Sequence, residues 1–334
     1  MTKAVALLSG GLDSRLAIKV IQEQGIEVEA LHFITLFCQC TSGDSCKTEA
    51  MAAAEQLGVP LKTINASKSM LEIIKNPKHG YGKNMNPCID CRINMLREAI
   101  KYMHESGADF VVTGEVLGQR PMSQRRDAMR IIDREAGAEG NVLRPLSAKL
   151  LEPTEPEKKG LVDREKLPAI SGRSRKPQMQ LAEVFEMRDY PCPAGGCLLT
   201  QSGFARKIRD LVEHGDPDLN DVHLLKTGRH FRLDEKTWVV IGKDHADNQK
   251  IATFARKGDT IIETVDVPGP TTLVRGGASD EKVEIAARLT ARYSQGRRNE
   301  TVTVALYDHG EKEPKRTVPV KPAAMEEYRE MLIG

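Results

Sequence analysis

Two groups of residues have the types and spacing to do chemistry. The first is Ser9-Gly10-Gly11-Leu12-Asp13-Ser14, which follows a short apolar run and precedes a helical pattern. Gly10 and Gly11 let the backbone approach an anion and adopt positive φ. The amides that follow, at a helix N-terminus, present donors and a partial positive charge. Ser9 and Ser14 add hydroxyls. Asp13 would repel a phosphate, so it is suited to holding Mg²⁺ or ordering the loop. No Lys-Ser/Thr pair follows, so this is not the cradle built for β- and γ-phosphates. The plainer reading is a strand–turn–helix junction capped by Asp13 or Ser14.

The second group is the cysteines. Seven of them in a chain without secretory features point to metal or redox chemistry rather than a disulfide framework. Cys88 and Cys91 form a Cys-x₂-Cys pair before a helix, and Cys192 and Cys197 bracket a Pro-Ala-Gly-Gly stretch. Three chemistries fit. Three thiolates can hold a [4Fe–4S] cluster with one iron open. Four, Cys88, Cys91, Cys192 and Cys197, can hold Zn²⁺. Without metal, one cysteine can carry a persulfide while another resolves the disulfide. Cys38, Cys40 and Cys46 are irregularly spaced after the second strand and read as a substrate-facing loop. No histidine has ligand spacing; His32 reads as packed or nucleotide-facing.

The elements that must position these groups alternate. Strands are expected at Val5–Leu8, Glu27–Phe33, Leu61–Ile64, Phe110–Thr113 and Val142–Leu146. Helices are expected at Ser14–Gln24, Lys47–Leu57, Arg92–His104 and Gln178–Met187. This order implies an α/β fold with a doubly wound parallel sheet. Lys149–Pro177, rich in Pro and charge and holding Arg173, Arg175 and Lys176, reads as a long surface insertion. From Gly203 the pattern becomes α+β, with strands expected at His223–Lys226 and Thr237–Gly242. The expected division is 1–200, 203–310 and a C-terminal tail, 311–334.

The Ser9–Ser14 string resembles the PP-loop of the ATP pyrophosphatases. That resemblance implies a PP-loop α/β domain that cleaves ATP between the α- and β-phosphates and transfers AMP to an oxygen. A second stretch, Val112-Thr113-Gly114-Glu115-Val116-Leu117-Gly118-Gln119 with Ser123-Gln124, is similar to the pattern of tRNA 4-thiouridine synthetases, where it lies beside ATP and RNA. ATP would then be bound by Ser9, Gly10, Gly11, Asp13, Ser14, Thr113, Gly114 and Gln119. The cluster-using thiolases of the two-thiouridine type share the Cys-x₂-Cys plus distant Cys plan. Their likeness makes Cys88, Cys91 and Cys197 catalytic and cluster ligands, with Cys192 as an alternative ligand. Residues from Gly203 to about Tyr293 resemble the NFACT-R domain, which is associated with RNA.

The implied function is ATP-dependent tRNA thiolation with sulfide or a persulfide protein as donor. A PP-loop small-molecule amide ligase and an RNA-binding quality-control module without turnover are the alternatives. A net charge of +2 confines any RNA site to local patches, among them Arg120, Arg125, Arg126, Arg130, Arg206, Lys207 and Arg209. Aromatics at 4% exclude a single-strand stacking platform. No apolar stretch approaches the roughly 20 residues that span a bilayer, and the first strand is too short for a secretory segment. A cytoplasmic protein is expected.

Overall fold

The computed structural model describes residues 1–38, 45–187, 190 and 196–334; of 45–48 and 325 the backbone alone is described. The chain divides into two units, Met1–Leu198 and Leu199–Gly334.

In the first unit the elements are β1 (Lys3–Leu7), α1 (Leu12–Gln22), β2 (Glu27–Ile34), α2 (Ser45–Leu57), β3 (Leu61–Asn65), α3 (Ser67–Lys75), α4 (Cys88–Ser106), β4 (Phe110–Thr113), α5 (Arg126–Ala136), β5 (Val142–Leu143), α6 (Glu155–Lys158) and α7 (Lys176–Val184). The five strands form a parallel sheet in the order β3-β2-β1-β4-β5. Successive residues of a strand face opposite ways, and both faces are covered. Ala4 and Ala6 of β1, Val28 and Ala30 of β2, and Phe110 and Val112 of β4 pack with Leu16, Ala17 and Ile21 of α1. Val5, Leu7, Leu31, Phe33 and Val111 pack with Ile93, Leu96, Ala99 and Met103 of α4. The sheet is doubly wound, as expected.

Strand order reverses between β1 and β4, which pair with Leu7 beside Thr113. In such sheets the crevice at the carboxyl ends of the two central strands is where ligands bind. The glycine turn leaves β1 there, and the Thr113-Gly114-Glu115 stretch leaves β4 beside it.

Two expectations for this unit change. Val142–Leu146 is a strand only over Val142–Leu143; Pro145 then opens a 3₁₀ turn to Leu150. The stretch after Lys149 is not a structureless insertion. α6 starts in a capping box between Thr154 and Glu157, and Val162, Leu167 and Ile170 are buried in the α1-side core. The apolar spacing was diluted by charge, and the core claimed it.

The second unit holds α8 (Ser202–Glu213), α9 (Leu219–Leu225), β6 (Arg229–Arg232), β7 (Trp238–Ile241), α10 (His245–Phe254), β8 (Thr260–Thr264), β9 (Thr272–Arg275), α11 (Asp280–Arg292), β10 (Val302–Asp308), β11 (Arg316–Val320), α12 (Met325–Tyr328) and β12 (Leu332–Ile333). Its strands form an antiparallel sheet in the order β11-β10-β8-β9-β7-β6-β12. Ala286 and Leu289 of α11 pack with Phe231, Val239, Ile262 and Val304 of the sheet. His223–Lys226 is not a hairpin strand: its residues through Leu225 belong to α9, whose start is fixed by the reciprocal Asp218–Asp221 cap. The hairpin partner of β7 is β6. Residues 311–334, read as a tail, contribute β11, α12 and β12. No helix among the described residues is long and apolar enough to cross a membrane.

Candidate functional site

The Ser9–Ser14 turn is a tight loop that satisfies its own hydroxyls. Ser14 Oγ donates to the Gly11 carbonyl at 2.8 Å and accepts from the Ser9 amide at 3.3 Å. Gly10 takes φ +84°, and a Cβ there would lie 3.1 Å from the backbone of Glu49 on α2. Glycine is required at this position by both conformation and space. Arg15, buried, donates from Nε to the Gly10 carbonyl at 2.8 Å. Gly11 precedes α1 with no side chain capping the first turn, so the cap by Asp13 or Ser14 of the plainer reading is absent. The helix N-terminus faces the crevice without a protein capping group, as an anion site requires.

The second motif closes over this loop. A Cβ on Gly114 would lie 2.6 Å from Ser14 Cα and N and 2.7 Å from the Asp13 carbonyl carbon. The two loops therefore touch backbone to backbone. Gln119 Nε2 donates to Asp13 Oδ2 at 2.9 Å. Asp13 Oδ1 is buried and has no hydrogen-bond partner among the described residues. A buried carboxylate oxygen left without a donor is costly. It is the place where a cation can enter, and the hard oxygen donor suits Mg²⁺.

Beneath the crevice lies an ionic network that sequence reasoning missed. Glu115, buried, accepts from Thr113 Oγ1 at 3.3 Å and from Arg144 Nε at 3.0 Å. Arg92 Nε lies 3.2 Å from Glu115 Oε1, off the direction of a hydrogen bond. Arg144 continues to Asp133 through two bonds of 2.8 and 2.7 Å. Burial alone would push the Glu115 carboxyl up; Arg92 and Arg144 outweigh it and hold it below the usual range. Its stabilising contribution is therefore in place above about pH 4.3, the ordinary glutamate value. It is lost as acid protonates the group through its lower folded pKa. Arg144→Leu removes the partner shared by two carboxylates and leaves buried Glu115 with Arg92 and Thr113 alone. The expected loss is about 3–5 kcal/mol, read as a lower denaturant midpoint at pH 7 that narrows on acidification.

His32 is buried on β2, and its Nδ1 lies 2.8 Å from the Leu8 carbonyl, which it can only address as a donor. Burial lowers its pKa against that bond, so the ring is neutral and its Nε2 is an unpartnered acceptor. It sits directly under the residue that opens the loop.

The thiols collect at the same edge of the sheet. Cys88 and Cys91 lie in the first turn of α4, not ahead of the helix, and α4 is tied to the end of β4 by the Arg92–Glu115 pair. Burial raises the Cys88 thiol against the pull of Arg120 and Arg92. Burial pushes Cys91 up to about 11; Arg92 opposes this, while Cys88, Cys38 and Asp90 add to it. Cys38 and Cys197 stand opposite each other in an antiparallel bridge. Among the described residues, no three His, Cys, Asp or Glu side chains form a group that could hold a metal ion. Cys40, Cys192 and the side chain of Cys46 lie outside what is described, so the Cys₄ zinc set is not visible as a whole. Arg92, Arg144 and Cys38 are the additions to the expected site. Only for Cys38 was there a signal, its place in the loop leaving β2 at the crevice.

The basic cluster also comes to this edge. Ser171 bridges Leu117, and the Gly172 amide donates to the Leu117 carbonyl at 2.7 Å. Arg173, Arg175 and Lys176 therefore follow directly from the Gly114–Gln119 loop's neighbour, and among the described residues no carboxylate pairs with them. Arg125, by contrast, pairs with Asp127, and Arg130 with Glu152.

Residues 1–149 match the family described as thiamine biosynthesis protein (ThiI), and residues 228–332 match the NFACT protein RNA binding domain. A tRNA-specific 2-thiouridylase of Sulfurimonas denitrificans is 33% identical over 122 residues, covering 35% of this chain and 36% of that protein. The chain thus spans about a third of that relative's length. The Streptococcus agalactiae 2-thiouridylase is 24% identical over 329 residues, covering 90% of this chain and 85% of its own. A solved U34-tRNA thiolase of Methanococcus maripaludis with its [4Fe–4S] cluster covers 67% of this chain and 70% of its own, at 18% identity and a TM-score of 0.34, too low a likeness to carry any inference. The chain is thus similar to the ThiI family over residues 1–149 and to the NFACT protein RNA binding domain over residues 228–332.

Proposed function

We propose that the chain is an ATP-dependent tRNA thiolase: it adenylates a uridine oxygen and lets sulfur displace AMP at carbon. The observation that carries this reading is Asp13. It sits at the topological switch point, is steered by Gln119 from the second motif, and keeps one buried carboxylate oxygen unpartnered. Ser9, Gly10, Gly11 and Ser14 form a cradle for the pyrophosphate, whose leaving charge meets the N-terminus of α1. Thr113, Gly114 and Gln119 wall the other side. Mg²⁺ held by Asp13 would supply neutralisation of the phosphate charge. The protein's own contribution is to align the uridine oxygen with the α-phosphorus and to stabilise the departing group.

Arg173, Arg175 and Lys176 are suited to RNA phosphates beside the crevice, and the NFACT-type unit supports an RNA partner. tRNA affinity should then fall steeply with added salt. A tRNA substrate would fit a cytoplasmic location.

For sulfur we propose the thiols at the crevice. The set is chemically right for a [4Fe–4S] cluster on Cys88, Cys91 and Cys197, which would supply an open iron for sulfide; the spacing of the described residues does not assemble it. A second reading, a persulfide relay without metal, is favoured by the pairing of Cys38 with Cys197. The donor is sulfide in the first case and a cysteine-persulfide protein in the second.

The test is product analysis with and without unmodified tRNA. The proposal expects AMP and pyrophosphate in equal amounts, released only when tRNA is present. Turnover without RNA would point to a small-molecule ligase, and tRNA binding without turnover to an RNA-binding module.

A further inference from the structure

Of the two arginines beside Glu115, one is spent and the other is not. Arg144 gives its Nε to Glu115 and both terminal nitrogens to Asp133. Arg92 makes no such bonds. Its Nε stands 3.2 Å from Glu115 Oε1, off the direction of a hydrogen bond, so charge alone holds the pair. Its one hydrogen bond among the described residues runs from Nη1 to the Met95 sulfur at 3.9 Å, a weak acceptor. Guanidinium–carboxylate pairs are commonly bidentate; here Glu115 fixes where the guanidinium stands without using its fork.

Arg92 also stands where an anion would arrive. It follows Cys88 by four residues on α4, so the two share a helix face. A helical side chain leans toward the N-terminus of its own helix. α4 runs into β4 through a short turn, which puts its N-terminus at the carboxyl end of that strand, beside the crevice. The side chain is 28% exposed, and its charge acts on both the Cys88 and the Cys91 thiols. On its other side, Glu115 adjoins Gly114, whose backbone meets that of Ser14 and Asp13. Arg92 thus lies between the thiols and the nucleotide cradle, part-buried, positive and with its donors unused. A bound anion would offset the desolvation of that cation.

We propose that Arg92 is a catalytic residue of the sulfur-transfer step, the group that receives the phosphate of the departing AMP. This rests on the thiolation reading and holds for either source of sulfur. In the first step the uridine oxygen attacks the α-phosphorus, and charge builds on pyrophosphate at the N-terminus of α1. In the second step hydrosulfide, with one negative charge, attacks the adenylated carbon. The C–S bond forms, the C–O bond breaks, and the electron pair leaves on the bridging oxygen. AMP departs with two negative charges where the adduct carried one, and the base is left as neutral thiouridine. The new charge therefore appears on an oxygen bonded to the very carbon that sulfur attacks. A donor for it must stand beside the thiols, as Arg92 does. An interaction that strengthens as this charge grows accelerates the step.

Withholding sulfur separates the two steps. Full-length protein, Mg²⁺, unmodified tRNA and ATP labelled at the α-phosphorus should give pyrophosphate and labelled, adenylated tRNA. Sodium sulfide or, in a parallel reaction, a cysteine-persulfide protein is then added, and release of labelled AMP is followed. Arg92→Gln should slow AMP release about a hundredfold more than it slows adenylation. Arg92→Lys, which keeps the charge beside Glu115, should fall between the two. Binding gives a readout free of turnover: wild type should prefer AMP to adenosine, and Arg92→Gln should reduce that preference at least about tenfold. Equal slowing of both steps would leave Arg92 a merely structural residue and overturns the proposal. So does an undiminished preference for AMP. A wild-type protein that forms no adenylated tRNA would count against the thiolation reading instead, because the comparison of AMP with adenosine does not depend on it.

Discussion

Asp13→Ala is expected to lower tRNA-dependent pyrophosphate release by at least about a hundredfold, the scale seen when one preorganised electrostatic group is removed, while the protein stays folded. Two features of Asp13 lead to this. Its Oδ2 orients Gln119, so its loss frees the second motif from the first. Its Oδ1 has no hydrogen-bond partner among the described residues, so removing the carboxylate relieves a desolvation cost that offsets the one bond lost to Gln119. Stability and activity should therefore part company. Isothermal titration with ATP and Mg²⁺, alongside thermal unfolding, separates the two. The expected pattern is an unfolding temperature within a few degrees of wild type and a loss of Mg²⁺-dependent ATP affinity. Undiminished pyrophosphate production by the folded variant would remove Asp13 from the reaction.

Gly114→Ala should be nearly as damaging for a different reason. The new methyl would sit 2.6 Å from the backbone of Ser14, closer than real contacts allow, and neither side is a flexible side chain that can turn away. The loops must separate, at a stability cost of about 1–3 kcal/mol for an overpacked site. Displacement of a positioning group by about 1 Å can cost on the order of a hundredfold in rate. Gly203→Ala, where a Cβ meets nothing within 4 Å, serves as the control and should leave activity unchanged. ATP affinity and pyrophosphate release report both. Equal activity of Gly114→Ala and wild type would mean that the close approach of the two loops is not needed.

The parts of the site that could be read from the sequence are local. A glycine pair between a buried strand and an amphipathic helix is a strand–turn–helix signal within a dozen residues. Phe110–Thr113 was placed without error because four apolar or β-branched residues stand between clear boundaries. What escaped was set by long-range pairing. Arg92 read as an ordinary charge on a helix and Arg144 lay inside the expected strand Val142–Leu146; only the sheet edge brings both to Glu115. Cys38 belongs to a loop, and its opposition to Cys197 comes from a bridge between distant segments. The α9 error has a local cause. Val222, Leu224 and Leu225 suit a short strand as well as a helix, and the overlooked signal was the Asp218–Asp221 cap. Between Lys149 and Pro177, charge and proline outweighed three apolar residues that the α1-side core buries.

The central claim is that the crevice between β1 and β4 activates a tRNA base with ATP so that sulfur can replace oxygen. Its most direct test is one reaction containing the protein, ATP, Mg²⁺, unmodified tRNA and a sulfur donor, followed by digestion of the tRNA and mass spectrometry of its nucleosides. The account predicts a thiouridine that appears only with ATP, in step with AMP, and is absent with Asp13→Ala. ATP consumed to ADP and phosphate, or to AMP with every uridine of the tRNA unchanged, would contradict it.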